Sequence, residues 1–331
     1  MTAAAEARSS RILAAPSVYA GLAVVAVAAL LTFPEWASGI EGSRYWESIL
    51  RDVLVFGIYA LSLDLLVGRA GMPSLGHAAF FGGGAYAAAI SAARLGTDEL
   101  VVTLTAAILV AAFLAVVIGV LSVRASGIFF LMLTLAFAQM VFALAFQWTD
   151  VTGGSNGFSA IRRPMAFGLD LNPADALYRT VVVAFAVVVL LLWWLHRSQY
   201  GRALVGVREN ERRMRALGYD TVRLKLSAFV LAGALAGVAG ALSTWSFRIV
   251  SANDVGLSRS VEAFVMVLIG GAGTLLGPIV GAGVVVYIDR VLSSSVPFSQ
   301  TVLGLVFVVF VLAARQGIVG SMRSALARAR R

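Results

Sequence analysis

The sequence alternates long apolar runs with short polar stretches along its whole length. A helix needs about 20 predominantly apolar residues to cross the roughly 30 Å hydrocarbon core of a bilayer. The apolar runs that approach or exceed this length span residues 12–33, 53–68, 74–93, 100–123, 128–146, 180–195, 226–247, 261–288 and 301–314. The pattern predicts an all-α, polytopic membrane protein in which residues 1–331 form a single transmembrane domain.

Charges in the polar stretches predict the side of the membrane on which each loop lies. Cytoplasmic loops collect arginine and lysine, and Arg11, Arg69 and Arg124 occupy positions expected for one common side. The stretches at 35–47 and 148–179 fall on the other side. The first apolar run is longer than the roughly 7–15 residue core of a secretory signal. We therefore interpret it as a retained span that enters from the cytoplasm.

The apolar segment 261–288 contains several residues that break helices. They are Gly270, Gly271, Gly273 and Pro278. A break lets the chain dip into the membrane and return, which brings the basic tail, residues 315–331, to the cytoplasmic side. We predict about ten helical segments with both termini cytoplasmic. Both a full crossing and a re-entrant pair stay open for residues 261–290.

Composition restricts the chemistry that the chain can carry. A mean hydropathy of +0.90 is far above that of a soluble domain. The formal net charge of +9 is therefore interpreted as topology information rather than as a nucleic-acid-binding surface. The absence of cysteine excludes disulfides and thiolate chemistry. We expect contact with membrane lipid, no nucleic-acid partner and no cofactor in this chain.

A few uncharged or weakly basic polar residues fall inside the apolar runs. They are Ser74 and His77 in one run and Thr134 and Gln139 in another. Intramembrane polar groups either hold helices together or line a pathway, and both interpretations stay open for these four. No second ligand lies at helical spacing from His77, so we predict neither a metal site nor a catalytic residue.

Two features suggest other functions. GGGAY, residues 82–86, is glycine-rich but lacks the lysine that a Walker A loop places directly after its last glycine, so we expect no ATPase site in this chain. Asp64 lies within an apolar run, where an acid costs about 2.5–3.5 kcal/mol near the bilayer centre. This cost leaves a functional role open, but the proximity of Arg69 favours a paired structural role.

The segment RENERRMRALGYDTVRLK, residues 208–225, concentrates charge in an otherwise apolar chain. It belongs to the largest predicted cytoplasmic loop, residues 197–225. The pattern from Met214 to Leu217, with Gly218 after it, predicts a short amphipathic helix that a glycine terminates. Such a helix either lies against anionic lipid, which is the commoner case, or docks a cytoplasmic partner.

The stretch RENERRMRALGYDTVRLKLSAFVLAGALAGVAGAL resembles the signature of permease subunits of branched-chain amino acid ABC importers of the LivM type. Further stretches are similar to the same family in the expected order: GMPSLGHAAFFGGGAY, GIFFLMLTLAFAQM followed by TGGSNG, and VEAFVMVLIGGAGTLLGP. The resemblance implies a coupling helix that sits in a cleft of an ATPase subunit. Its residues would be Arg208, Glu209, Asn210, Glu211, Arg212, Arg215 and Gly218.

The match to the family pattern is imperfect at the coupling helix. The general importer pattern has Glu-Ala-Ala followed by a glycine after three further residues. Here Glu211 is followed by Arg212 and Arg213, and Gly218 lies one position later. The resemblance nevertheless implies a bacterial inner-membrane importer with a second related permease, two cytoplasmic ATP-binding subunits and an extracytoplasmic substrate-binding protein. Whether the chain pairs with a different permease or with itself stays open.

The substrate implied by the resemblance is a branched-chain amino acid, while urea, short amides and other amino acids stay open. No strongly charged residue is clearly placed mid-membrane. We therefore expect a path that releases substrate easily and leaves selectivity to the binding protein. The alternative from another class is a secondary transporter without ATPases, for which Asp64 would be the only candidate for ion coupling. An intramembrane enzyme would need a catalytic pair, and we identify none.

Overall fold

The computed structural model describes residues 16–37, 42–94, 96, 99–166, 168–295, 301, 304, 317, 318 and 320. These residues are predominantly helical, which confirms the all-α class. The helices are α1 (Pro16–Ala37), α2 (Ser43–Asp64), α3 (His77–Arg94), α4 (Leu100–Ser122), α5 (Ile128–Gln147), α6 (Thr149–Thr152), α7 (Ala174–Arg197), α8 (Gln199–Ala216), α9 (Thr221–Phe247), α10 (Leu257–Gly270) and α11 (Gly277–Ser295).

Short irregular elements connect the helices. A π-helical turn, Leu65–Ala70, extends α2, and a 3-10 turn, Ala252–Val255, precedes α10. The strands are β1 (Phe158–Ser159), β2 (Met165–Ala166), β3 (Leu169–Asp170) and β4 (Ile249–Val250). β1 pairs antiparallel with β4, and β2 pairs antiparallel with β3. These strand pairs hold together the segments that connect the helices at one end of the bundle.

Five helical stretches of the described chain are long and apolar enough to cross a bilayer: α2 with its π-helical turn, α4, α5, α7 and α9. The chain is therefore a multi-pass membrane protein. α2 begins at Ser43 rather than at residue 53, because Glu47 and Asp52 are buried inside the protein instead of facing lipid. α3 is also buried over most of its length and is not among the five. The predicted span 301–314 lies outside the described residues, apart from positions 301 and 304.

α9 lies at the centre of the bundle and packs against α2, α3 and α4. Gly237 is so close to Gly84 of α3 and to Ala111 of α4 that a methyl group on it would collide with its neighbours. Gly240 is similarly close to the Phe81 carbonyl. Small residues at these positions therefore let the helices approach one another closely.

The outer helices α4, α5 and α7 present large apolar side chains on the surface. Phe113 of α4 is 66% exposed, Phe129 of α5 is 72% exposed and Leu190 of α7 is 64% exposed. An apolar surface of this kind is stable against hydrocarbon but not against water. These faces therefore suit contact with lipid or with another membrane subunit.

Contacts between the helices and loops define two ends of the molecule. At the coupling end, as we call it, Arg208 of α8 donates a hydrogen bond to the Gly68 carbonyl, next to the α10–α11 connection. At the opposite end, Arg94 donates a hydrogen bond to the Asp150 carbonyl, and β1 lies beside β4. The division agrees with the sorting of loops that the charge pattern predicts.

The predicted break within residues 261–288 is present, because α10 ends at Gly270 and α11 begins at Gly277. Gly271 has a φ of 106° and Gly273 a φ of 84°, conformations that only glycine adopts without strain. Pro278 lies in the first turn of α11, where a missing N–H costs nothing. Gly317 lies against Gly271. The rest of the basic tail 315–331, apart from 318 and 320, lies outside the described residues.

α10 is too short to cross a bilayer by itself. Its 14 residues extend about 21 Å at roughly 1.5 Å per residue. The helix begins within the bundle, where the Tyr59 hydroxyl of α2 donates a hydrogen bond to the Arg259 carbonyl at 3.3 Å. It then runs to the coupling end, where α11 turns back. The connection between α10 and α11 is thus placed beside the charged segment 208–225.

Candidate coupling site

The charged segment is mostly helical rather than a loop. α8 begins directly after α7, with the Ser198 hydroxyl accepting a hydrogen bond from the Gly201 N–H at 3.2 Å. Non-helical backbone angles at Asn210 (φ −158°, ψ 94°) divide α8 in two. The Asn210 side-chain oxygen accepts a hydrogen bond from the Arg213 N–H at 2.9 Å and so caps the second part. The connection over 197–225 therefore contains two successive helices, for which Ser198 and Asn210 supply the caps, rather than the single short helix that the sequence indicates.

We call the part from Glu211 to Ala216 the coupling helix. It ends in a Schellman motif: the Gly218 N–H donates to the Arg215 carbonyl at 2.9 Å, and the Tyr219 N–H donates to the Met214 carbonyl at 3.1 Å. Gly218 has a φ of 87°, which the motif requires. The short helix predicted before Gly218 is present and begins three residues earlier than Met214.

An ion cluster fixes the coupling helix to the start of α9. The Glu211 carboxylate accepts hydrogen bonds from Lys225 at 2.5 Å, Arg215 at 2.6 Å and the Thr221 hydroxyl at 3.1 Å. The Glu211 pKa lies below its usual value: burial raises it, but the hydrogen bonds and charge of Lys225 and the hydrogen bond of Arg215 outweigh that effect. Met214 is buried between Ala203, Val207 and Leu224. One charged and one apolar contact therefore hold the helix in place.

The other face of the coupling helix is open to solvent. Arg212 and Arg215 of this helix are exposed, as are Glu209 just before it and Leu217 (66%) and Tyr219 (48%) just after it. Exposed aromatic and arginine side chains are typical of protein interfaces. This combination, held on a rigid and doubly capped helix, forms a surface on which a partner can bind.

The first part of α8 connects the coupling helix to the membrane bundle. Arg208 donates a hydrogen bond to the Gly68 carbonyl in the π-helical turn after α2, and its side chain fills the space beside Gly71. One turn earlier in α2, the buried Asp64 carboxylate accepts a hydrogen bond from the Gly273 N–H at 2.7 Å. Asp64 thus has a structural partner in the α10–α11 connection, in addition to the favourable charge of Arg69 that its position suggested.

Three of the polar residues found in the apolar runs lie close together in the interior. His77 accepts or donates a 2.8 Å hydrogen bond with the Ser62 hydroxyl and stacks on Tyr59 at 5.5 Å between ring centroids. The Ser74 hydroxyl accepts a hydrogen bond from the Gly76 N–H at 3.2 Å, and the Thr134 carbonyl lies against Gly76. Gln139, by contrast, is exposed on α5. Among the described residues, no group of three His, Cys, Asp or Glu side chains could hold a metal ion.

The interior also contains charged residues that the sequence pattern does not place there. A cavity of about 420 Å³ lies between α2, α10 and α11, and its wall includes Asp52, Arg259, Glu262 and Arg290. The hydropathy pattern places Asp52 in a loop because the apolar run begins after it. The i, i+3 spacing of Arg259 and Glu262 is the signal that could have revealed the pair.

Together, the apolar bundle and the rigid charged helix define a multi-pass membrane protein with an exposed, charged surface at one end. The family described as branched-chain amino acid transport system / permease component matches residues 45–314, and the chain belongs to this family.

Individual relatives agree with this assignment. The chain is 29% identical over 307 residues to the high-affinity branched-chain amino acid transport system permease proteins LivM of Salmonella typhimurium and Escherichia coli, covering 86% of this chain and 72% of each relative. It is also 29% identical over 198 residues to the ribose import permease protein RbsC of Bacillus subtilis, covering 55% of this chain and 58% of that protein. No solved structure matches the chain.

Proposed function

We propose that this chain is the permease subunit of an ATP-binding cassette importer that translocates branched-chain amino acids across the bacterial inner membrane. The observation that carries the proposal is the coupling helix: a short helix, capped at both ends and fixed by Glu211, whose exposed face is charged and aromatic. A merely lipid-bound loop needs no such rigidity. Alternating access would be driven by ATP hydrolysis in partner subunits, not in this chain.

The partners proposed are two cytoplasmic ATP-binding subunits, a second related permease and an extracytoplasmic substrate-binding protein. The coupling helix would bind an ATP-binding subunit through Arg212, Leu217 and Tyr219, which are exposed at the coupling end. The apolar outer faces of the bundle would contact lipid and the second permease. The opposite end, with the loop that contains β1, would face the binding protein.

Movement of the coupling helix has a direct route into the membrane bundle. Arg208 holds the π-helical turn at Gly68, and Asp64 holds Gly273 in the α10–α11 connection. We propose that ATP-driven displacement of the coupling helix shifts this turn and the short helix α10, which opens one side of the path as the other closes. The coupling helix is thus the lever, and the α10–α11 connection is the part that it moves.

The proposed substrate rests on the names of the relatives. LivM of Salmonella typhimurium is named for branched-chain amino acid transport and aligns over most of this chain. RbsC is named for ribose import and aligns over about half of it. The two relatives are equally identical to this chain, but LivM aligns over more of it than RbsC does. This difference favours a branched-chain amino acid over ribose as the substrate. Urea, short amides and other amino acids are the substrates to compare.

Isolation of the complex tests the proposal. The chain, with an affinity tag, is purified from native membranes in mild detergent, and the proteins that accompany it are identified by mass spectrometry. We expect an ATPase with a Walker A loop and a second permease. In the matched experiment, Tyr219→Ala with Leu217→Ala should lose the ATPase but retain the second permease. Recovery of the chain alone, with uptake driven by an ion gradient, would instead support a secondary transporter.

A further inference from the structure

The charged cavity between α2, α10 and α11 is a second site that the coupling route does not use. It lies in the half of the molecule away from the coupling end, since Asp52 is on the N-terminal part of α2 and Arg290 is on the C-terminal part of α11. Its volume of about 420 Å³ falls within the range of roughly 300–1,000 Å³ that is typical of small-molecule sites.

Charges of both signs line this cavity. Asp52, which is 1% exposed, forms ion pairs with Arg290 and with Arg51. On the other wall, Arg259 forms ion pairs with Glu262 at 2.9 Å and with Asp254 at 3.4 Å. Apolar residues of similar volume would stabilise the interior at least as well as such pairs. The presence of two partly open ion pairs facing one cavity therefore points to a ligand that carries both charges.

Apolar surface accompanies the charges. The Arg259 guanidinium lies over the Phe56 ring at 5.2 Å, and the Arg290 guanidinium lies over the Phe247 ring at 5.5 Å. Val286 completes the apolar part of the wall. The cavity thus places guanidinium groups, carboxylates and an apolar wall within one small volume. An α-amino acid with an apolar side chain presents the complementary carboxylate, ammonium and hydrocarbon groups.

We propose that this cavity binds a zwitterionic, apolar α-amino acid during import, with its carboxylate at Arg259 or Arg290 and its ammonium at Glu262. Arginine binds carboxylates through paired hydrogen bonds, which favours this orientation. The inference rests on the proposed function, because it gives the importer a selective substrate-binding site in its own membrane path. It also replaces the expectation that selectivity is left to the binding protein.

Cysteine protection tests the site directly, because the chain has no cysteine of its own. Val286→Cys places a thiol on the cavity wall, and Ser159→Cys places one on an exposed strand at the same end as a control. The purified complex is treated with a water-soluble maleimide, and labelling of this chain is followed with and without leucine. We expect leucine to slow labelling at position 286 and leave position 159 unchanged.

Analogues of leucine test the contributions of its ammonium and carboxylate groups one at a time. 4-Methylpentanoate lacks the ammonium group and leucinamide lacks the carboxylate, so both should protect position 286 far less than leucine does. In the Val286→Cys background, Glu262→Gln should require about tenfold more leucine for equal protection, which corresponds to the loss of one charged contact. Glu262→Asp should retain most of the protection. If Glu262→Gln does not fold, the analogue comparison still tests the site.

The outcomes also separate this inference from the proposed function. ATP-driven leucine uptake without protection of position 286 would overturn the cavity assignment alone. Equal protection at positions 159 and 286 would indicate a change of the whole protein and would also overturn it. Protection at position 286 in a complex whose uptake does not depend on ATP would support the cavity while contradicting the importer proposal.

Discussion

Single side chains connect the coupling helix to the membrane bundle, and Glu211 is the clearest case. Its carboxylate receives hydrogen bonds from Lys225, Arg215 and Thr221, and the side chain of Lys225 is only 9% exposed. Removing the Glu211 charge leaves the buried ammonium without its charged partner. The position of the coupling helix therefore depends strongly on this one residue.

We predict that Glu211→Gln lowers the local stability of the coupling helix by about 1–2 kcal/mol. ATP-dependent uptake should fall strongly while the protein remains inserted in the membrane. Uptake by proteoliposomes and limited proteolysis near Arg212 and Arg213 measure the two effects. Glu99→Gln is the matched control, because Glu99 is exposed just before α4, away from the coupling end. Uptake equal to that of the control would contradict the role assigned to Glu211.

Substitutions at Asp64 distinguish a structural role for this residue from a role in ion coupling. Its carboxylate accepts a hydrogen bond from Gly273, and an asparagine side chain retains a suitable acceptor oxygen. We therefore predict that Asp64→Asn retains uptake, whereas Asp64→Leu, which leaves the Gly273 N–H unpaired, loses most of it. The measurement is uptake at matched expression. Loss of uptake in Asp64→Asn, together with a dependence on an ion gradient, would assign ion coupling to Asp64.

Individual polar residues differ in how well the sequence predicts their surroundings. His77, Ser74 and Thr134 can be selected as intramembrane polar residues, because each interrupts an apolar run. Their proximity cannot be predicted, since it depends on the non-helical segment between α2 and α3 that returns the chain into the bundle. The burial of Asp52 is missed for a different reason. A hydropathy pattern marks the lipid-facing part of a helix, not the part whose polar side chains are buried by other helices.

At the scale of elements, the α10–α11 connection depends on glycine. A methyl group on Gly270 would overlap the backbone of Gly277, which crosses directly beside it. We predict that Gly270→Ala displaces α11 and destabilises the protein by about 1–3 kcal/mol, a typical cost of overpacking. Thermal unfolding in detergent measures this loss.

Gly283 of α11 provides the control for this prediction. The space beside it is open, because an added methyl carbon would have Val53 as its nearest neighbour, at 3.8 Å. Gly283→Ala should therefore leave stability unchanged or raise it slightly, because alanine favours a helix by up to about 1 kcal/mol over glycine. Equal destabilisation by both substitutions would show that the close approach at Gly270 is not what holds the two helices together.

The end of the coupling helix is a second glycine-dependent element. Gly218 has a φ of 87°, and no atom lies within 4 Å of the position that an added methyl group would take. The backbone conformation, not the available space, therefore restricts which residues fit at this position. Gly218→Val should cost about 1–2 kcal/mol and loosen the Schellman motif, with a fall in ATP-dependent uptake. Gly218→Asn should be tolerated, because asparagine adopts this conformation more readily. Equal uptake by the valine and asparagine variants would contradict the role assigned to Gly218.

The elements differ in how well they can be predicted. The helix break within 261–288 is predictable, since a cluster of glycines followed by proline disfavours a continuous helix. The glycine-terminated coupling helix is predictable for a similar reason. The helical nature of residues 199–209 is missed because they lie between two apolar runs and directly before the charged segment, so they are interpreted as part of a loop. The caps at Ser198 and Asn210 are the available signals.

At the scale of the whole molecule, the apolar pattern and the distribution of arginine determine most of the architecture. They predict a single bundle with loops sorted to two ends, and the contacts of the described residues agree with it. The pattern does not predict which helices are central. α9 is central because its small residues let α3 and α4 approach, which becomes evident only when the helices are placed together.

ATP-driven uptake is the measurement that tests the central claim most directly. The complex purified from native membranes is reconstituted in proteoliposomes, and the uptake of labelled leucine in the presence of its binding protein is followed with ATP on the cytoplasmic side. We predict uptake that requires ATP, persists when ionophores abolish all ion gradients, and falls in Gly218→Val. Uptake that stops with the ionophores but continues without ATP would contradict the assignment of this chain as an importer permease.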